Sequence, residues 1–242
     1  NAENDNAIRL IYEVKKRPFD NPIICHFPNI CEIEKNFILK DKDFELAETF
    51  WPGPLTLILE KKKESKITKL VSNYESLVGC RIPNNKIALD LLTKLDFPIA
   101  APSANITMKT SITSINDLDN KLKNIFYIDG GSSVLGLEST VVQTTNKGCK
   151  ILRLGSLTTE EIKKKFSDYN IEIIVSKLSP GNQLKHYSPD KAIRINVKNV
   201  YDNESLLNFG QNNLKSKIQD LNLSISADLT EASYNFYNFL NI

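Results

Sequence analysis

The sequence has only four cysteines in 242 residues, Cys25, Cys31, Cys80 and Cys149. Their spacing fits neither a dense disulfide framework nor a paired C-x-x-C zinc site. Histidine is scarcer: His26 and His186 are the only two. Neither a Ser-His-Asp order nor a two-histidine metal spacing can be built from them. Long apolar runs are missing too. "LTLIL" and "IEIIV" are strand-sized, far short of the ~18 residues that a membrane span needs. Charge of one sign is missing as well, with 31 basic against 29 acidic residues and a net charge of +2. That balance gives no broad electropositive footprint for stable duplex binding. Neither G-x-G-x-x-G nor a Walker A sequence occurs, which excludes the dinucleotide and standard P-loop readings.

What is present is ordinary globular material, 41% hydrophobic and 25% charged, enough for a real core. Cys80 and Cys149 sit in strand-like runs as small core residues, and reduced thiols point to the cytoplasm. Asn4, Asp5 and Asn6 offer N-caps to a helix with Ile8, Ile11, Tyr12 and Val14 on its apolar side, bounded by Pro18. "KDFELAETF" (42–50) reads as a helix stopped by "WPGP". "KIALDLLTKL" (86–95) reads as an amphipathic helix with Ile87, Leu91 and Leu95 on one face. "SINDLDNKLKN" (114–124) reads as another. Strands are expected at 22–27, 55–60, 77–83, 98–101, 125–129 and 171–175, and in "STVVQT" and "KILRLG". Thr158 and Glu161 form a capping box. Several strands follow one another directly. The predicted class is therefore α/β, a twisted mixed β-sheet with flanking helices.

Residues 1–175 read as one domain. Residues 176–190, polar with Pro, Gly and two Ser-Pro steps, read as a linker. Residues 191–242 hold a strand, "AIRINV", and a helix-prone tail, too little for an independent core, and read as a partial second α/β domain. The chain begins at "NAENDNAIRLIYEV", already at a helix start and without an initiator Met, so an upstream piece is expected.

The motifs each allow two readings. In "VKKRP", Lys15 and Arg17 either complement a helix C-terminus or form a phosphate clamp. Asn21 is a turn residue or a ligand contact. His26 ends an apolar strand, where a structural role is the default. Arg81, at the end of "VGCRIP", needs an anion, either a protein carboxylate or a ligand. Ser103 and Asn105 open from the buried "FPIAA" into a loop of small polar residues. Ser139 and Thr140 lie where a glycine-bearing loop, "DGGSSVLGLE", gives way to a strand. Arg81, Ser103, Asn105, Ser139 and Arg153 all fall near strand ends, where ligands bind in α/β sheets. The set is rich in donors and poor in acids, as a phosphate-bearing substrate requires.

In this order, "KKRP..NP...H", "WPGPLT", "GCRIP", "PSAN", "DGG....G.ESTVV", "ILRLG" and "SPG....HYSP" resemble the threonylcarbamoyl-AMP synthase family. The likeness is to its YrdC-type domain, in the long form with a linker and a C-terminal domain. It runs over essentially the whole chain. The resemblance implies a reaction in which L-threonine, bicarbonate and ATP give threonylcarbamoyl-AMP and pyrophosphate, with Mg2+ as a helper. The product would pass to a tRNA threonylcarbamoyl transferase, with tRNA met only indirectly and no membrane involved. It implies Lys15 and Arg17 as the catalytic nucleotide pair. Asn21, Leu77, Ser103, Asn105, Ser111, Arg153 and Tyr187 would be further ATP contacts. His26, Arg81, Ala101 (through its backbone) and Ser139 would be threonine contacts. No metal ligand is assigned. An RNA-binding or scaffold module of tRNA modification without its own catalysis is the alternative.

The sequence departs from the family pattern in several places. The usual "PTETVYGLG"-like opening is absent, so these 242 residues alone are expected to be inactive. Met108 stands where the relatives have glycine, "SIT" replaces "SPT", "ILRLG" lacks a proline, and the linker lacks a Met and an aromatic residue.

Overall fold

Local chemistry starts most of the helices where the sequence marks them. In the computed structural model, which describes residues 1–106, 109–122, 125–174 and 191–241, Asn4 accepts from the Ala7 amide and opens α1 (Asp5–Lys15). Ile8 and Tyr12 are buried, while Val14 lies on the exposed side. Lys16, in the left-handed region at φ 50°, closes the helix by donating to Glu13 and Tyr12 carbonyls. Strand β1 (Cys25–His26) follows, then α2 (Ile30–Glu34), β2 (Phe37–Ile38) and α3 (Asp41–Phe50). Next come β3 (Leu55–Lys61), a 3-10 turn at Lys69–Ser72, β4 (Leu77–Arg81), α4 (Lys86–Leu92) and β5 (Ile99–Ala100). The first compact unit is completed by β6 (Thr140–Thr145), β7 (Gly148–Arg153), α5 (Thr159–Lys165) and β8 (Asn170–Ile173). The Thr158–Glu161 capping box that starts α5 is present as expected.

The eight strands form one mixed sheet in the order β5-β1-β4-β3-β6-β7-β8, with β2 paired to β3. β1 runs parallel to β4, β3 to β6 and β7 to β8, while β1–β5, β3–β4 and β6–β7 are antiparallel. The predicted α/β class with a mixed sheet is what the structure has. Alternation along the strands gives the sheet two different faces. Cys25, Leu55, Leu57, Leu59, Cys80, Val142 and Ile151 belong to the main core, with Ile8, Tyr12, Leu46 and Ile162 from the helices. Each large side chain buried there contributes about 1.5–3 kcal/mol. The other face carries only a small apolar patch of Ile58, Val141 and Leu152, with Leu77 beside it. Cys80 and Cys149 are buried free thiols, as read from the sequence; Cys25 is a buried free thiol too, and Cys31 is exposed.

The second unit groups Met108–Leu137 with the C-terminal part of the chain. It holds two short 3-10 turns (Ile115–Asp117 and Asn120–Leu122), a parallel pair β9 (Leu206–Asn208) and β10 (Asp220–Asn222), and α6 (Leu229–Leu240). The helix expected at 114–124 is replaced by these turns. Asp117 turns its carboxylate back onto Ser114 and Thr113, so side chain competes with helical backbone. The strand expected at 125–129 is absent. Ile125, Phe126, Tyr127 and Ile128 are exposed, and β-propensity without a partner edge does not make a strand. "AIRINV" is not a strand either: Arg194 is held by Glu204 and by the Asn199 carbonyl, with Ile193 and Ile195 exposed. On α4 the buried residue is Leu92, and Ile87 and Leu91 of the expected stripe are exposed. The linker expected at 176–190 lies outside the described residues. Among the described residues no helix is long and apolar enough to cross a membrane.

Candidate functional site

Two polar clusters are tied to opposite ends of β1. At its N-terminal end the chain leaves α1 through the left-handed Lys16 and is stopped by Pro18. Lys15 does not cap its own helix. Its ammonium donates across the fold to the Ser103 carbonyl (2.6 Å) and to the Asn105 carbonyl. Burial first, and then the charge of Arg17, lower its pKa to about 8. Arg17 lies equally deep. Its Nε donates to the Asn21 carbonyl (3.0 Å), and Nη2 donates to Asn21 Oδ1 and to the Pro22 carbonyl (both 2.7 Å). Asn21 Nδ2 is buried with no partner among the described residues. Ser103 and Asn105 reach this end because β5 runs antiparallel to β1 and carries on past it. The Ala101 amide is spent on the Ile24 carbonyl (3.1 Å), so its own carbonyl is what it can offer a ligand.

At the other end, β1 and β4 place His26 and Arg81 side by side, as register partners. Both point to the face that lacks the large core. Gly79 keeps this face open: a Cβ there would stand 3.3 Å from side-chain carbons of both Ile24 and Thr56. Arg81 Nε donates to the Gly53 carbonyl (3.0 Å). Among the described residues Arg81 has no carboxylate within ion-pair distance. Burial and the neighbouring Arg153 charge push its pKa down to about 10. His26 is held to about 4 by burial and then by Arg81, with the Ile99 and Ile24 carbonyls opposing. It is therefore a neutral imidazole at ordinary pH, and its Nδ1 meets no hydrogen-bond partner among the described residues.

Ser139 completes this end. Its hydroxyl shares a 2.7 Å hydrogen bond with Thr56 Oγ1, and both residues are buried. Arg153 grips it from β7, with Nη2 donating to the Ser139 carbonyl (2.7 Å) and hydroxyl (3.1 Å). The "EST" segment is sewn to "LGSL": Ser156 N–H donates to the Glu138 carbonyl, and Thr140 Oγ1 donates to the Leu157 carbonyl. Gly155 permits this approach, because a Cβ there would sit 2.4 Å from the Glu138 carbonyl oxygen.

The expected residues thus fall into groups. Lys15, Arg17, Asn21, Ser103 and Asn105 converge at one end, and His26, Arg81, Ser139 and Arg153 at the other. Leu77, half-buried at the start of β4, joins the apolar patch on the same sheet face as the second group. Ser111 belongs to the second unit, where its carbonyl accepts from Asn241 (3.1 Å). Tyr187 lies outside the described residues. Thr56 was not singled out from sequence. Its signal was a lone hydroxyl inside the apolar run "LTLIL". Among the described residues no three His, Cys, Asp or Glu side chains cluster as metal ligands.

A family model covering the Sua5, YciO and YrdC proteins, described as telomere recombination, matches residues 1–155. The chain belongs to this family. A threonylcarbamoyl-AMP synthase of Pyrococcus abyssi is 37% identical over 206 residues, which is 80% of this chain and 59% of the relative. Its counterpart in Bacillus subtilis is 36% identical over 205 residues, 81% of this chain and 58% of the relative. The chain therefore spans under three fifths of the length of either. The crystal structure of P. abyssi Sua5 complexed with L-threonine aligns with a TM-score of 0.79 at 28% identity, covering 99% of this chain and 76% of that one. The family resemblance and the fold read from the motifs both hold.

Proposed function

We propose that this chain carries the ATP and L-threonine sites of an enzyme that makes threonylcarbamoyl-AMP and pyrophosphate from L-threonine, bicarbonate and ATP, in the cytoplasm, for a tRNA threonylcarbamoyl transferase to use. The observation that carries this reading is Arg81. A part-buried guanidinium with no carboxylate beside it among the described residues is suited to receive an anion. In this reading the threonine carboxylate lies against Arg81. Neutral His26 and the Ser139 hydroxyl meet the amino acid's other polar groups, and the Ala101 carbonyl takes a donor. The threonine amine takes up CO2 to form a carbamate, whose oxygen attacks the α-phosphate and expels pyrophosphate. Lys15 and Arg17 bind and stabilise the phosphate charge that develops. The orphan Nδ2 of Asn21 and the groups of Ser103, Asn105 and Arg153 bind the nucleotide, with Leu77, Ser111 and Tyr187 as further contacts. Positioning two small substrates against ATP is most of the catalytic task. The donor set supplies cations and neutral groups rather than carboxylates. Mg2+ would therefore be held by the nucleotide's own phosphates, whose charge it neutralises.

Calorimetry with L-threonine, then ATP, tests the reading on wild type and Arg81→Ala. The wild type is expected to bind threonine and the variant to lose it. Unchanged threonine affinity in the variant removes the Arg81 assignment. Pyrophosphate release that needs both L-threonine and ATP tests the reaction itself, and detecting it with these 242 residues alone would overturn the expectation that they are inactive.

A further inference from the structure

The positive charge of this chain is unevenly spread. Residues 61–69, "KKKESKITK", hold five lysines against Glu64, a local charge of +4 where the whole chain carries +2. The stretch leaves the end of β3 and enters the 3-10 turn at Lys69–Ser72. Together with the start of α1 it lines an open groove of about 620 Å3, within the roughly 300–1,000 Å3 range of small-ligand sites. Lys61, Lys62, Lys63 and Lys69 line it, with the hydroxyl residues Ser65 and Thr68. Lys61 follows the strand alternation of Leu55, Leu57 and Leu59, so it points away from the face that bears His26 and Arg81.

The charges here are only partly used. Lys61 donates to the Ile67 carbonyl (2.9 Å) and Lys62 to the Glu34 carbonyl (2.7 Å). The ammonium groups of Lys63 and Lys69 have no hydrogen bond or ion pair among the described residues. Burial, and then the charge of Lys69, lower the Lys61 pKa, so like charges crowd one another here. Two acids also line the groove, Asp5 and Glu75, and Asp5 is engaged by the Thr68 hydroxyl. Beside it Asn73 and Tyr74 are both left-handed, at φ 53° and 67°, a backbone state that a tyrosine rarely takes. The Tyr74 amide is fixed to the Lys69 carbonyl (2.8 Å), and its side chain is two-thirds exposed at the lining.

We infer that this groove is a second anion site, built for a compact polyphosphate such as inorganic pyrophosphate or the phosphate tail of a free nucleotide. Ammonium groups are point-charge donors suited to phosphate oxygens. They come from the end of β3 and from the 3-10 turn, the two ends of one stretch that lines a single concavity, which favours a compact anion over an extended strand. The inference is independent of the activity proposed above.

Titration of the full chain with inorganic pyrophosphate, followed by amide NMR, tests it. Shifts are expected at Ser65, Thr68, Lys69 and Ser76, with ATP producing the same local shifts if the nucleotide tail is bound. Lys63→Glu with Lys69→Glu, both exposed and outside the sheet, should weaken these shifts at least ~10-fold in pyrophosphate concentration. Arg17→Gln, at the other site, should leave them unchanged. Shifts confined to the Lys15–Asn105 region, or a double variant that titrates like wild type, would overturn the inference. So would a single-stranded RNA oligonucleotide that moves these amides at far lower concentration than pyrophosphate does, which would make the groove an RNA surface.

Discussion

Replacing Arg81 by Met should make the ligand-free protein more stable while removing its response to threonine. Arg81 has its pKa pushed down to about 10 from 12.5, by burial and by Arg153. At pH 7 the group is protonated in both folded and unfolded chains. The folded chain holds that proton less tightly, so the penalty is fully present below pH 10 and lifts only as pH rises through about 10. At 1.36 kcal/mol per pKa unit the penalty is about 3 kcal/mol. Removal of the guanidinium also loses its hydrogen bond to the Gly53 carbonyl, worth about 1.5 kcal/mol at the low end for a charged donor. The net expectation is a gain of about 1–2 kcal/mol, which for a chain of this size raises Tm by about 3–6 °C. Wild type saturated with threonine at a hundred times its dissociation constant gains about 2.7 kcal/mol. The variant should gain almost nothing. Scanning calorimetry with and without L-threonine reads both effects. A variant less stable than wild type by more than about 1 kcal/mol would refute the claim that Arg81 is an uncompensated charge. A variant that threonine still stabilises would refute its role as the carboxylate receptor.

Other expectations follow from the same geometry. Thr56→Val removes the 2.7 Å partner of the Ser139 hydroxyl; threonine affinity should fall about 5–10-fold, near the ~1 kcal/mol of a typical hydrogen bond, and Thr56→Ser should restore it in the same calorimetric assay. Gly79→Val fills the open face between Ile24 and Thr56; it should cost about 1–3 kcal/mol in chemical denaturation and abolish threonine binding. Lys15 has a pKa lowered to about 8 by burial, so its cation is lost as pH rises through that value; ATP affinity measured from pH 7 to 9 should decline across the range, and a flat profile would show that the Lys15 charge is not used. His26, already neutral above about pH 4, should add no step to threonine binding between pH 5.5 and 7.

The local signals in the sequence were reliable where chain neighbours supply the partners. The Asn4 cap and the Thr158–Glu161 box need no distant contact. The same logic failed where a partner had to come from elsewhere. "IFYID" has strand-forming residues, but Ile125–Ile128 find no edge to pair with, and Phe126 stands fully exposed. Site residues divide in the same way. That Lys15 and Arg17 are cations at a helix end is legible. That Lys15 donates to carbonyls 88 and 90 residues away is not. The sequence leaves Arg81 open between a protein acid and a ligand, and the folded neighbourhood, with Arg153 and no carboxylate among the described residues beside it, favours the ligand. Little in the sequence marks Thr56, because a threonine in a strand is ordinary until its hydroxyl is buried against Ser139.

The sheet topology explains why the proposed chemistry needs no acid or base on the Ser103–Asn105 loop. β5 runs antiparallel to β1, so the loop after it is carried to the Lys15–Arg17 end, while β4 runs parallel to β1 and carries Arg81 to the other. Pro22 and His26, which mark the two ends, are four residues apart, or about 13 Å of extended chain. In the proposed reading, a threonine carboxylate at Arg81 and nucleotide phosphates at Lys15 and Arg17 would face each other along that span. Separation of the cations limits repulsion between the Lys15–Arg17 pair and the Arg81–Arg153 pair. The proposed catalysis by position would then rest on strand direction, with the charge of the leaving pyrophosphate met at the end where Lys15 and Arg17 lie.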